Sequence, residues 1–199
     1  TAGVSTGQMV REAIRPMFLL WWVAMWMTAA TELGPDQWVG SVITNLTGMS
    51  GILILVYTAG IMFVLRFFAG PIVHRINPLG LLACCAGIAA IGLLWLANSG
   101  SVALAVFLAA TLYGLGKTYF WPTTLGVVAE QFPKGGALTL NAIAGMGMIS
   151  VGVLGNPFLG VMQDKSLDDA LHAQNPALHA QLALPEEQKF LMRYQPLDK

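Results

Sequence analysis

The sequence predicts an all-α protein that spans a membrane, a polytopic bundle of about five transmembrane helices. Hydrophobic residues make up 56% of the 199 residues and charged residues only 10%, whereas a soluble domain carries about 25% charged residues. Five apolar stretches are each long enough to cross a bilayer, which takes about 20 helical residues. A barrel is disfavoured because its alternation of apolar and polar residues is missing.

The five predicted spans are separated by short polar connections. They cover residues 13–33, 49–70, 79–97, 103–128 and 137–162. The links at 98–100 and 130–136 are so short that the helices they join must be antiparallel. The segment 34–48 is predicted to be a longer loop, with Trp38 as an interfacial anchor.

The last part of the chain, residues 163–199, is polar and contains three prolines. We expect it to be a tail outside the membrane, with short helices such as one at 167–174. His172 and His179 lie seven residues apart, and they would share a helix face only if Pro176 did not interrupt the helix. Residues 1–162 are accordingly predicted to form the transmembrane bundle and 163–199 a separate tail.

The distribution of lysine and arginine predicts the orientation, because short cytoplasmic loops are enriched in these residues. The loop at 34–48 and the link at 98–100 contain neither residue. The cations that fall on the opposite side are Arg11, Arg15, Arg66, Arg75 and Lys134. We therefore expect a multi-pass protein of the plasma (inner) membrane, with a cytoplasmic N-terminus and an extracytoplasmic tail.

Several classes of protein are disfavoured by the composition. The formal net charge is zero, so no basic surface favours nucleic acid. Cys84 and Cys85 are adjacent, which suits neither a structural disulfide nor a metal site. A membrane enzyme would need paired catalytic groups at membrane depth, and the sequence contains no such set. We therefore predict neither an enzyme nor a bound cofactor or metal.

The link between the second and third spans reads RFFAGPIVHRINPLGLL and contains Arg66, Gly70, His74 and Arg75. Glycine permits close helix contact, the basic residue holds the loop to the cytoplasmic surface, and Asn77-Pro78 supplies a sharp turn. This pattern resembles the short cytoplasmic loop of the major facilitator superfamily. It departs from the family pattern because His74 replaces the usual acid and the final basic residue is missing.

The fourth and fifth spans extend this resemblance. They are similar to the tenth and eleventh helices of these transporters at Glu130, Phe132, Pro133, Gly155, Gly160 and Asp164. Together the matches cover residues 11–165 as the seventh to eleventh helices of a twelve-helix transporter. The resemblance implies that Arg66, Gly70, His74 and Arg75 serve gating. It also implies an N-terminal half as a partner of this chain, alongside membrane lipid and a small-molecule solute.

Lys117 lies near the centre of the fourth span, 14 residues from one end and 11 from the other, too far for its ammonium group to reach an interface easily. Charges at this depth commonly mark a pathway or a binding site. Residues three, four and seven positions away share its face, among them Tyr113, Trp121 and Thr124. The alternative is a structural ion pair. Because the prediction places no acid at mid-membrane depth, the partner would be an absent helix, the solute or water.

Pro122 should break the backbone pattern beside Lys117. Proline lacks an amide proton, so the carbonyl four residues earlier, that of Thr118, loses its intrahelical donor. We expect a kinked or loosened turn near Thr118 and a free carbonyl next to the site.

Weaker site candidates lie on the first and fifth spans. Trp22 and Trp26 could stack on a ring, although such a stripe is more often packing or lipid contact. Glu32 is predicted near the outer end of its helix, where it lines a vestibule or is simply solvated. Asn141 is a polar residue in the fifth span; the nearby stripe of small residues is interpreted as helix packing.

The predicted function is secondary active transport of a small polar organic solute, sugar- or nucleoside-like, by alternating access. An organic anion bound by Lys117 is the alternative solute. A small structural or channel-forming membrane protein is the alternative class.

Overall fold

The fold is known from a computed structural model, which describes residues 3–73, 75–189 and 192–196. These residues are predominantly helical. The chain divides into two compact units, Thr1–Val151 and Gly152–Lys199. The first unit contains eight helices among its described residues. Their bounds are α1 Thr6–Ala13, α2 Pro16–Thr47, α3 Gly51–Phe67, α4 Ala69–Val73, α5 Pro78–Asn98, α6 Ala103–Lys117, α7 Phe120–Gln131 and α8 Gly136–Ile149.

Three helical stretches in the described part of the chain are long and apolar enough to cross a membrane, and a fourth is possible. The three are Pro78–Asn98, Ala103–Gln131 and Gly136–Gln174. The fourth is the pair Thr6–Ala13 and Pro16–Gly40, bent by 63°. Helix α3 is apolar but has only 17 residues. The all-α, membrane-compatible fold class is thus confirmed, with three to four candidate spans among the described residues where the sequence predicts about five.

The prediction of a loop at 34–48 is wrong, because α2 continues to Thr47 with Pro35 inside it. Pro35 has no amide proton, so the helix lacks the hydrogen bond to the carbonyl of Thr31. That carbonyl accepts instead from Tyr113 Oη of α6, at 2.7 Å. The helix ends where Gly48 adopts a left-handed conformation, with φ of 69°.

The fourth predicted span is divided at the expected place. Helix α6 ends at Lys117, a turn follows at 118–119, and α7 begins at Phe120. Pro122 lies in the first turn of α7 and leaves the carbonyl of Thr118 without an intrahelical donor. The loosened turn predicted from Pro122 is therefore present.

Helices α5 and α6 pack closely because glycines replace side chains at their contact. A Cβ added at Gly92 would collide with the backbone of Tyr113, and one added at Gly116 with Ala89. Such close approach is typical of small residues between transmembrane helices. It holds the α6 backbone, and with it Lys117, in a fixed position.

Two apolar clusters define the depth of α2 relative to α6 and α7. At one end Phe18 packs with Val128 and Phe132. At the other end Ile43 packs with Ile54, Val106 and Ala110. Helix α2 therefore runs antiparallel to α6 and α7, and its midpoint, near Glu32, lies level with Lys117.

The second unit begins at Gly152, inside a π-helical stretch, Ser150–Gly155. It consists of α9 Asn156–Gln174, α10 Pro176–Leu182 and a hairpin of β1 Glu187–Lys189 and β2 Met192–Tyr194. Pro176 starts a new helix, so His172 and His179 lie on different helices. Asp168 accepts hydrogen bonds from the His179 ring, at 2.6 Å, and from the backbone N–H of Gln195. The predicted helix at 167–174 is part of α9.

Candidate functional site

Lys117 forms an ion pair with Asp36 of α2. Its Nζ lies 2.5 Å from both carboxylate oxygens of Asp36. The Lys117 side chain is 1% exposed and that of Asp36 is 30% exposed. The prediction that this chain offers no partner for Lys117 is wrong, because Asp36 belongs to a helix and not to the predicted loop.

A second ion pair joins α2 to α3 at the same depth. Arg66 donates from Nη2 to Glu32 Oε1, at 2.9 Å, and from Nε to the carbonyl of Thr118, at 3.0 Å. The freed carbonyl predicted from Pro122 is thus the one that Arg66 binds. Glu32 was expected near an outer helix end, but it is 5% exposed on its side chain and lies near the middle of α2.

We call Glu32, Asp36, Arg66 and Lys117 the charge cluster. It contains two acids and two bases, so its formal charge is zero. Three different helices of the first unit contribute to it, and each helix is otherwise strongly apolar. Buried charges are tolerated when each has an opposite partner and further hydrogen bonds. One acceptor is left over, since Glu32 Oε2 is buried without a hydrogen-bond partner among the described residues.

Tyr113, predicted as a site residue, supports the charge cluster from α6. Its ring centroid lies 4.7 Å from Lys117 Nζ, which is a cation–π contact. Its hydroxyl donates to the carbonyl of Thr31, as described above, and Tyr113 is only 2% exposed. The sequence spacing of four residues had already indicated that Tyr113 and Lys117 share a face.

The other predicted site residues are more scattered. Thr124 is fully buried and its hydroxyl donates to the carbonyl of Phe120 within its own helix. Trp121 is half-buried, and a Cβ added at Gly147 would collide with its ring. Trp22 and Trp26 are part of α2, and neither buried indole N–H has a hydrogen-bond partner among the described residues. Asn141 is exposed on α8.

The four predicted gating residues do not form one group. Arg66 lies in the last turn of α3 and its side chain reaches the charge cluster, so it differs from a cation of the loop. Arg75 is exposed after α4. A Cβ at Gly70 would meet no described atom within 4 Å, so this glycine is not a close helix contact. His74 lies outside the described residues.

An open cavity of about 460 Å³ adjoins the charge cluster. We call it the Asp36–Arg66 cavity. Its lining consists of these two residues and the apolar residues Ala59, Met62, Phe63 and Phe67. The volume is within the range of small-molecule sites, roughly 300–1,000 Å³. Among the described residues no group of three metal-binding side chains is present.

Sequence reasoning missed Asp36 and misplaced Arg66 and Glu32. The available signal was the spacing of Glu32 and Asp36, which are four residues apart and share one face if the helix continues through Pro35. The sequence Gly34-Pro35 was instead interpreted as the end of a span. For Arg66 no local signal existed, since its partners belong to other helices.

Comparison with known proteins gives no relative. No family model matches the chain, and neither a curated protein nor a solved structure is significantly similar to it.

Proposed function

We propose that this chain is a helical half of a secondary transporter that moves a small polar organic solute across a membrane by alternating access. The observation that carries the proposal is the charge cluster, which lies at the middle of α2 and beside the break between α6 and α7, and which opens into the Asp36–Arg66 cavity. Ionisable residues in such positions commonly serve solute or ion pathways.

The broken backbone beside the charge cluster supports the same function. Pro35 and Pro122 each leave a carbonyl without its helical donor, and side chains of neighbouring helices bind both carbonyls. Transporters place their sites near the midplane at discontinuous helices, where irregular backbone lines a cavity. These contacts are side-chain bonds between helices, so they can be exchanged when helices move.

The family assignment is part of the proposal. The motif order described above resembles the seventh to eleventh helices of a major facilitator transporter, with α2, α3, α5, α6–α7 and α8 onward as five spans. In this arrangement the N-terminus is cytoplasmic and the tail extracytoplasmic. Gly70, His74 and Arg75 would act in gating, and the N-terminal half would cover the open side of the Asp36–Arg66 cavity.

The choice of solute changes with the structure. An organic anion was attractive because Lys117 had no partner, and the ion pair with Asp36 removes that reason. A sugar- or nucleoside-like solute is still expected from the aromatic rings of Trp22 and Trp26 and the amide of Asn141. No described contact joins these three residues to the charge cluster.

The reading frame around this segment tests the family assignment directly. Six apolar spans upstream and one downstream are expected, and a natural stop at Lys199 would contradict the family assignment.

The transport function is tested with the intact protein, which is reconstituted in liposomes and screened for uptake of labelled polar solutes. Uptake that depends on Glu32 and Arg66 is expected. A protein that conducts ions without saturable uptake would instead be a channel.

A further inference from the structure

Two charged groups with opposite signs line the Asp36–Arg66 cavity, and contacts with other residues of the protein fix the position of both. Asp36 is anchored by the buried Lys117, while Arg66 is anchored by Glu32 and by the carbonyl of Thr118. Their side chains nevertheless remain 30% and 39% exposed. The cavity therefore presents a fixed carboxylate and a fixed guanidinium group.

Both groups retain free hydrogen-bonding capacity. Arg66 uses Nε and Nη2 for the protein contacts, and its Nη1 has no hydrogen-bond partner among the described residues. The carboxylate of Asp36 can accept further hydrogen bonds on each oxygen beyond the one from Lys117. A guanidinium edge suits a carboxylate, and a carboxylate suits an ammonium group.

The rest of the cavity wall is apolar. Phe63 and Phe67 form an edge-to-face pair with ring centroids 4.9 Å apart, and their residues are 66% and 73% exposed. Met62 and Ala59 complete the wall. This surface suits the hydrocarbon body of a solute whose charged groups sit at one end.

The charge balance limits the net charge of the occupant. The charge cluster is neutral as a whole, and its surroundings are apolar. A solute with net charge would add an unbalanced charge in this low-dielectric position, which is costly. A solute with one positive and one negative group adds none. A neutral polyol could form hydrogen bonds with Asp36 and Arg66, but it would form no ion pair with either group.

We propose that the Asp36–Arg66 cavity binds a small zwitterion, an amino-acid-like solute with an apolar side chain. Its carboxylate pairs with Arg66 Nη1, its ammonium group pairs with Asp36, and its side chain lies on Phe63 and Phe67. This assignment names the solute of the transporter and in that sense rests on the proposed function.

Binding by the full-length protein tests the assignment without relying on transport. The protein is placed in nanodiscs of phosphatidylglycerol, which has no ammonium group, and titrated with L-leucine and L-phenylalanine. 3-Phenylpropanoate and 2-phenylethylamine, which each lack one charged group, and D-glucose serve as comparisons. At least one of the amino acids should bind, with phenylalanine at least about tenfold tighter than either of its analogues. The assignment fails if neither amino acid binds. It also fails if 3-phenylpropanoate, 2-phenylethylamine or glucose binds as tightly as phenylalanine.

Variants then locate the site. Arg66→Lys should weaken binding of the amino acid about tenfold or more while leaving the weak binding of 2-phenylethylamine unchanged, since that probe has no carboxylate. Arg193→Lys, at an exposed residue of the tail, is the matched control and should change nothing. Equal effects of Arg66→Lys on both probes would overturn the pairing. This comparison uses two probes on one folded variant, so misfolding cannot imitate the expected result.

Uptake into liposomes separates this assignment from the proposed function. Binding of the amino acid without uptake keeps the zwitterion site and contradicts transport. Saturable uptake of a sugar, with no binding of either amino acid, keeps transport and overturns the zwitterion site.

Discussion

Tyr113 donates its hydroxyl proton to the carbonyl of Thr31, the group that Pro35 deprives of its helical donor. The bond links the C-terminal part of α6 to the centre of α2. It explains why a proline is tolerated inside a long apolar helix, since a buried carbonyl in this environment needs a partner. The ring of Tyr113 also lies against Lys117, so one side chain supports both the backbone and the charge cluster.

Replacing Tyr113 by phenylalanine should show how much an unpaired Thr31 carbonyl destabilises the protein. Tyr113→Phe keeps the ring but leaves the Thr31 carbonyl unpaired, so we expect the free energy of unfolding to fall by about 1–3 kcal/mol. Tyr57→Phe is the control, because its partner Thr111 keeps a second hydrogen bond, to the carbonyl of Phe107. Reversible unfolding in detergent measures both variants. Equal effects would contradict the special role of Tyr113.

The ion pair between Lys117 and Asp36 predicts that substitutions at these two residues have strongly non-additive effects on the free energy of unfolding. Lys117→Met leaves the Asp36 carboxylate without its partner, and breaking a buried pair costs about 3–5 kcal/mol. Adding Asp36→Leu should restore much of this loss, because no unpaired charge then remains. The same cycle on Lys165 and Asp169, an exposed pair in the tail, should give at most about 1 kcal/mol.

This cycle also refines the expectation for uptake. The sequence predicts that Lys117→Ala abolishes uptake at normal membrane expression. The structure adds a second consequence, a less stable protein, because Asp36 loses its counter-ion. If Lys117→Met proved as stable as the parent protein, the ion pair would not hold in the intact molecule.

Arg66 should be sensitive even to a conservative change. Lysine keeps the charge but lacks the planar fork that binds Glu32 and the Thr118 carbonyl together. We expect Arg66→Lys to lower kcat/KM for uptake about tenfold or more in the intact protein. The exposed Arg193 of the tail gives the matched control, Arg193→Lys. Unchanged uptake in the Arg66 variant would remove this residue from the pathway.

The glycine contact between α5 and α6 gives a prediction on packing alone. Gly92→Ala places a methyl group against the backbone of Tyr113, so one helix must shift. We expect a loss of about 1–3 kcal/mol in the free energy of unfolding. Gly87→Ala, on the same helix, meets no described atom within 4 Å and should be neutral or slightly stabilising. Thermal unfolding of the two variants side by side measures the difference.

Much of the fold follows from local properties of the sequence. Hydropathy over about 20 residues locates α5, α6–α7 and the start of α8 closely, because burial in lipid depends on each segment alone. The same approach failed at α2, where Gly34-Pro35 suggested a boundary. The helix continues there because a neighbouring tyrosine satisfies the carbonyl that proline frees, and hydropathy contains no information on that neighbour.

The candidate site, like the fold, was predictable from the sequence only in part. The sequence by itself determined that a lysine lies deep in an apolar helix, that Tyr113 shares its face, and that Pro122 frees a carbonyl at Thr118. Only the tertiary structure decided that Asp36 neutralises Lys117, that Arg66 binds both Glu32 and the Thr118 carbonyl, and that Glu32 is central. Helix period and proline chemistry act within a few residues. Pairing across 81 residues, as between Lys117 and Asp36, depends on the relative depth and rotation of packed helices.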